Sequence, residues 1–347
     1  MEIYNPNGEV ISSNMCEDLL EEILVRLPLK SLFRFKCVSK SWHGMISDDH
    51  FRRRLPLVTS AVFYRGSSDQ DGAPRYAFVS DDHHLEECNL DFFPYHDKST
   101  IIDSCNGLLL SYSSPSTAFY VVNPDVKRWV ALPKPLKKTH LSVLAFDPCD
   151  SPDYKVVCFT AWRAHGAEIE VFSSETAKWT EHELQWGIDT DAMSATMHYF
   201  HGVLYVLAYP NHIVGINLHK MHCRKIELPE PTRRDGRIGH SGGRLHYSHN
   251  EGEEVKVWMV TDLDESNWVL KDSIRVQEVV ERRSQINLLA FHPEREVLYF
   301  WMPGRLVSYD LKKKRIEESW EFGTEIKDKA HLIQIWLFPF SCYLSDC

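Results

Sequence analysis

A short apolar run that ends in a small polar residue, followed six positions later by a bulky or long side chain, recurs five times along this chain. Tyr120-Val121-Val122-Asn123 leads to Trp129, Ile169-Glu170-Val171-Phe172-Ser173 to Trp179, and Val214-Gly215-Ile216-Asn217 to Cys223. Met259-Val260-Thr261-Asp262 leads to Trp268, and Val307-Ser308-Tyr309-Asp310 to Ile316. The pivots 123, 173, 217, 262 and 310 lie 50, 44, 45 and 48 residues apart by subtraction. That period, built from strand-length runs, is the period of a propeller blade, and a unit so small buries its apolar face only by stacking on its neighbours.

A second signal precedes several pivots. Asn106-Gly107-Leu108-Leu109-Leu110, His201-Gly202-Val203-Leu204-Tyr205 and Gly242-Gly243-Arg244-Leu245-His246 each read as a tight turn into a buried strand, in blades two, four and five. Glu296 to Trp301 does the same in the last repeat without the glycine. With further strands near Val58 to Tyr64, Tyr76 to Ser80 and Leu332 to Leu337, about six blades are predicted. The terminal strand is expected to complete the first blade and seal the ring, which leaves only short edges. The aromatic content of 12%, with ten Trp and fourteen Tyr, suits such pleated surfaces.

Residues 15–56 follow a different period. Leu19, Ile23 and Leu27 fall at i, i+4 and i+8 with Leu20 and Leu24 beside them, so Glu17 to Leu27 carries a wide apolar arc at helical spacing. Asn14 with Glu17 reads as a capping box, and Glu22 with Arg26 as an i,i+4 pair. Pro28 stops the helix, because it lacks an N–H and disfavours α geometry at Leu27. Ser31 then caps a second helix bearing Leu32, Phe35 and Val38; Ser39 or Ser41 caps a third bearing Trp42, Met45 and Ile46; Asp48 or Asp49 caps a short fourth through Leu55. So few residues bury little surface alone, and such a module leans on a partner or a neighbouring domain. The chain therefore divides into a polar tail (1–14), a helical module (15–56) and a β domain (57–347).

The stretches Glu17-Asp18-Leu19-Leu20-Glu21-Glu22-Ile23-Leu24-Val25-Arg26-Leu27-Pro28, Lys30-Ser31-Leu32 and Arg34-Phe35-Lys36-Cys37-Val38-Ser39-Lys40-Ser41-Trp42 resemble a plant F-box. One departure is that Met15-Cys16 stand where the family opens with Leu-Pro. Beyond it, Ser104-Cys105-Asn106-Gly107-Leu108-Leu109, Asn123-Pro124 with Trp129 and Leu132-Pro133, Phe146-Asp147-Pro148 and Asp153-Tyr154-Lys155-Val156-Val157 resemble the kelch-related F-box-associated domain. The resemblance implies a multidomain chain, a small all-α F-box plus an all-β propeller-like domain. It implies the substrate-recruiting subunit of an SCF-type ubiquitin ligase, itself without catalysis, cofactor or metal. The F-box would dock on a Skp-family adaptor and through it a cullin-RING scaffold, while the propeller holds an unidentified protein substrate. Residues carried over as adaptor contacts are Met15, Leu19, Leu20, Leu24, Leu27, Pro28, Leu32, Val38 and Trp42. Ile23, Phe35 and Ile46 are expected in the module's own core.

Composition narrows the rivals. A formal charge of -10 argues against non-specific nucleic-acid binding, and in a helix-turn-helix reading the basic Arg34, Lys36 and Lys40 are diluted by Phe33, Cys37 and Val38. Met1 to Asn14 holds no apolar leader, and the longest apolar stretch, 332–344, is broken by Gln334, Pro339 and Ser341, so no membrane span is expected. Nine singly placed Cys without a C-x-x-C pair fit reduced thiols in the cytoplasm or nucleus.

Metal spacing is weak at His198 with His201 and at His219, His222 and Cys223, none of which has a convincing third ligand. Glu86, Glu87 and Cys88 after His83-His84, and Asp189 with Asp191, are read as loop residues rather than catalytic pairs. The basic clusters Lys312-Lys313-Lys314-Arg315 and Arg233-Arg234 with Arg237 read as charged hairpin and loop tips. Loops carrying Trp162, Arg163, His165, Trp186, Tyr209, His212 and Arg237 supply an aromatic and Arg-rich recognition face, from which Trp162, Arg163, Trp186, Tyr209, His212 and Arg237 are the candidate substrate contacts. The alternative is a glycan-binding or glycosidase-like propeller under a helical cap.

Overall fold

In a computed structural model, the described residues are 17–27, 35, 38–48, 51 and 90–321, the last range without 125–126, 148–149, 189–191, 276–285, 293–294, 303–304. Short strands at 3–4, 10–11, 58–63, 66–67, 74–75, 77–79, 85–87 and 336–340 are described as backbone. Asn14, Met15, Pro28, Ser31 and Leu32 lie outside these residues, as do His83, His84, Cys88, Asp189 and Asp191. The chain divides into two compact units, one of them spanning Val58–Phe340.

In the helical unit, α1 spans Glu17–Val25 and α2 spans Lys40–Ser47. Of the two candidate caps, Ser39 is the one used: its backbone is extended and its Oγ accepts from the Trp42 N–H at 3.1 Å. Arg26 reaches Glu22 at 3.5 Å, an exposed pair of small weight.

The β unit is a ring of antiparallel blades. Blade two comprises Thr100–Cys105, Leu108–Ser113, Ala118–Asn123 and Arg128–Ala131. Blade three comprises Leu141–Ala145, Lys155–Arg163, Gly166–Ser173 and Lys178–Gln185. Blade four comprises Ala192–Phe200, Val203–Tyr209, His212–Asn217 and His222–Glu227. Blade five comprises Arg237–Ser241, Arg244–Glu251, Glu254–Asp262 and Asn267–Arg275. Blade six comprises Asn287–Phe291, Val297–Met302, Arg305–Asp310 and Arg315–Glu321. These are five complete blades among the described residues, against an expectation of about six. In the remaining place Trp336–Phe340 pairs antiparallel with Val58–Phe63 and approaches the inner strands of both blade two and blade six.

The repeated pivot has a local cause. Every pivot is the last residue of a third strand, and the residue six further on is the second of the outer strand, with four loop residues between them. The last of those four is in the left-handed region each time: Lys127, Ala177, Met221, Ser266 and Lys314, with φ between 49° and 54°. At Asn217, Asp262 and Asp310 the side-chain oxygen accepts from the N–H groups two and three residues on, at 2.8–3.1 Å. A short carbonyl or carboxylate is the group that closes such a loop, hence the small polar residue. The Trp six on ties neighbouring blades: Trp179 Nε1 donates to Pro133 O and Trp268 Nε1 to Glu227 O, both at 2.8 Å. Asn106-Gly107, His201-Gly202 and Gly242-Gly243 all have positive φ at both residues, as the expected tight turns require.

Apolar clusters fill the spaces between blades. Val157, Ile169, Leu204, Val206 and Val214 join blades three and four, and Leu207, Ile213, Ile226, Leu245 and Tyr247 join four and five. Second and third strands are covered on both faces, so Val297–Met302 is buried at every position rather than at alternate ones. At the ring centre a Cβ on Gly239 would overlap the Phe291 ring, so the inner strands of blades five and six approach closely only because residue 239 is glycine.

Candidate functional site

Two surfaces are relevant, one in each unit. On α1 the apolar arc is wider than the unit can cover. Leu20 and Leu24, at i and i+4, are turned inward at 9% and 1% exposure, while Leu19 and Ile23, a second i,i+4 pair about 100° round the helix, remain 55% and 44% exposed. Ile46 and Phe51 are buried; Val38 is 61% exposed; Trp42 is half-buried and meets Phe35 edge-on at 5.2 Å. Three aliphatic side chains thus stay in water beside a formed core.

The β unit has a central channel of about 550 Å³, lined by the inner strands of blades two to six. Its polar lining includes Asp103, Cys105, His198, Tyr199, Arg234, Arg237 and His240. Burial pushes the Asp103 carboxyl up to about 7, although it accepts from the Leu144 N–H at 2.5 Å, which ties the inner strands of blades two and three. Burial and the nearby Asp103 raise the Cys105 thiol far above its usual range, and its Sγ donates to Phe146 O at 3.2 Å. His198 Nε2 and His240 Nδ1 share a hydrogen bond of 2.8 Å, one ring donating and the other accepting; Phe200 stacks on His240 at 4.3 Å. Burial lowers His198 to about 4 and holds His240 well below the ordinary histidine value. Asp103 is the one carboxylate among the described lining residues.

Residues 86–329 match the family described as F-box protein At3g26010-like, beta-propeller, and residues 12–54 match the F-box domain. The chain belongs to this F-box β-propeller family. Similar proteins of Arabidopsis thaliana include the putative F-box protein At1g47790, 28% identical over 291 residues (73% of this chain, 70% of that protein). F-box protein At5g49610 is 27% identical over 293 residues (75% and 79%), and F-box/kelch-repeat protein At3g23880 is 26% identical over 205 residues (51% and 52%).

Within the F-box, the carried-over residues separate by exposure. Leu19 and Val38 face solvent, Leu27 and Trp42 are half-buried, and Leu20 and Leu24 are interior. Ile23, expected in the core, is exposed: it belongs to the outer of the two α1 stripes. Among the described residues no helix is long and apolar enough to cross a membrane.

In the F-box propeller, the candidate recognition residues sit at one edge of the ring. That edge carries the hairpins between second and third strands and the connections from one blade to the next. Trp162 and Arg163 end the second strand of blade three, Tyr209 and His212 flank the corresponding hairpin of blade four, and Arg237 opens the inner strand of blade five. Trp162, 37% exposed, stacks on Phe159 at 4.6 Å, and Arg163 pairs with Glu168. Trp186 is a correction: at 4% exposure it lies under this edge, 6.5 Å from Trp162, and its backbone N–H donates to His165 O at 2.9 Å. Its hydrophobic bulk seats the blade connection instead of meeting a partner. Tyr209 reaches Arg233 O at 3.5 Å, and His212 is half-buried. The pairs read as weak metal spacings are separated by the fold. His198 faces His240 across the channel, His201 lies 3.7 Å from Asp147, and His219 lies 3.5 Å from Asp150. No set of three or more His, Cys, Asp or Glu suited to a metal occurs among the described residues. The His198–His240 contact escapes sequence reasoning, because the two residues are 42 positions apart and meet only when blades four and five close.

Proposed function

We propose that this chain is the substrate receptor of an SCF-type ubiquitin ligase. Its F-box docks on a Skp-family adaptor carried by a cullin-RING scaffold, and its propeller holds the protein to be modified. The observation that carries the reading is the outer apolar stripe of the helical unit. Leu19, Ile23 and Val38 remain in water while Leu20, Leu24, Ile46 and Phe51 are buried, and an exposed apolar surface of this kind is stabilised by a partner. The contact set centres on Leu19 and Val38, joined by Ile23, while Leu20 and Leu24 hold the helix that presents them. Catalysis by this chain is by proximity: tethering raises the local concentration of substrate at the charged conjugating enzyme, and no side chain here performs bond chemistry.

The glycosidase-like alternative needs two carboxylates at a set separation. Asp103 alone among the described lining residues, engaged with the Leu144 N–H, supplies one.

The test is calorimetric titration of a purified Skp-family adaptor with the full chain and with a Leu19→Asp, Val38→Asp variant. Affinity is expected to fall roughly 100-fold or more, the effect of spoiling two interface anchors, with the thermal melt unchanged because both side chains are exposed. Undiminished affinity would remove the docking assignment.

A further inference from the structure

The chain carries 49 carboxylates against 39 Lys and Arg, and a number of its surface cations are paired. Around the propeller, Arg224 pairs with Asp264 at 3.0 Å, Arg233 with Glu251 at 3.8 Å, Lys256 with Glu230 at 2.7 Å and Arg305 with Glu321 at 2.6 Å. Arg234 and Arg237 line the channel; exposed cations such as Lys178, Lys225 and Arg244 also lack an ion pair, but Arg237 lacks one while half-buried. Among the described residues neither has a carboxylate within ion-pair distance. Arg237 is half-buried and its Nη1 donates to Gly236 O at 3.1 Å. Asp235, the nearest acid in sequence, is engaged elsewhere, accepting from the Asn250 N–H at 2.7 Å. A guanidinium withdrawn from water without an ion-pair partner is costly: burial lowers the Arg237 pKa, and the Asp235 charge opposes this only at a distance.

The remaining lining does not supply the missing charge. Ser194, Thr196 and Tyr199 are neutral, and Asp103 is held by the Leu144 N–H. The other large basic depression, between blades five and six, makes an instructive contrast. There Lys271 already meets Glu296 at 2.6 Å, Arg295 meets Glu317 at 2.5 Å, and Lys313 meets Asp310 at 3.1 Å. Its charge is largely satisfied, whereas that of the channel is not.

We propose that Arg234 and Arg237 form a receptor for an oxyanion side chain, carboxylate or phosphate, on an extended peptide segment of the captured protein. A planar guanidinium with parallel N–H donors suits either oxyanion, and the ring centre has space for one side chain and its flanking backbone. The segment enters at the edge that also carries Tyr209 and Trp162. The inference rests on the substrate-receptor reading, which it supplies with a substrate class.

The experiment probes a positional peptide array with the full chain. Nonapeptides of degenerate sequence carry one fixed central residue: Asp, Glu, phosphoserine, Asn, Gln or Ser. At moderate salt the anionic pools are expected to retain roughly tenfold more protein than their neutral counterparts, the worth of a charge-assisted hydrogen bond. Enrichment of phosphoserine alone assigns the oxyanion to phosphate, and enrichment of Asp and Glu to carboxylate. Arg237→Gln and, separately, the exposed Arg234→Gln should flatten the preference, and Arg237→Lys should retain part of it. Should Arg237→Gln fail to fold, Arg234→Gln alone decides. Anionic pools no better than neutral ones, or a preference that survives in Arg234→Gln, would overturn the proposal. A chain that binds adaptor yet ignores acidic peptides overturns this inference alone; one that prefers acidic peptides yet ignores adaptor overturns the ligase reading and leaves this one standing.

Discussion

Asp103 makes the stability of the propeller depend on pH in an unusual direction. Its folded-state pKa is raised to about 7 from the ordinary 3.8. A carboxyl raised in this way binds its proton more tightly in the folded chain, so its contribution is full below pH 3.8 and is lost as pH rises through 7. Integrating the proton linkage from pH 5 to 8.5 gives a loss of about 3 kcal/mol. Asp103→Asn keeps an oxygen for the Leu144 N–H but carries no charge, so this loss disappears in the variant. With an unfolding entropy of about 2.1 cal/mol/K per residue over a domain of this size, the difference corresponds to about 5 °C in Tm. The assay is a set of thermal melts of both proteins at half-unit pH steps. Other groups titrate in both chains, so the quantity read is the gap between the two Tm curves, which should widen from pH 5 to 8.5 in favour of the variant. Parallel curves would show that the carboxyl is ionised and accommodated throughout, and the burial reasoning would fail.

Acid acts through different groups. Burial lowers His246 and His292 to about 4, so their contributions are present above the unfolded value of 6.5 and vanish as pH falls through 4, each worth about 3 kcal/mol by pH 4; His246→Gln should blunt the acid limb of the same melts. Gly239→Ala forces a methyl into the Phe291 ring and should cost about 1–3 kcal/mol, read as a lowered denaturation midpoint. Trp268→Phe keeps a ring but removes the N–H donated to Glu227 O, so amide exchange in His222–Glu227 should quicken by the equivalent of about 1 kcal/mol.

The blade period was legible in sequence because its marks are local. A pivot oxygen that closes a four-residue loop demands Asn or Asp at 217, 262 and 310, and a left-handed pair demands residues such as Asn106-Gly107. Helical spacing likewise located α1 and the Ser39 cap. The direction each leucine faces was not legible: Leu19 and Leu20 are adjacent in an arc of apolar residues, and only tertiary packing decides which stripe is covered. The same limit applies to tryptophan, where Trp162 and Trp186 look alike in sequence but only one reaches solvent. Arg237 was marked as a loop residue; its isolation from carboxylates is a property of five inner strands brought together.

The pairing of Trp336–Phe340 with Val58–Phe63 also governs when this protein can finish folding. The blades between those strands are made of local hairpins and can form in turn during synthesis, but the circle stays open until Trp336–Phe340, made after all five, arrives. Loss of Trp336–Phe340 would therefore leave the inner strands of blades two and six without this neighbour, and the product would invite clearance by the quality-control machinery.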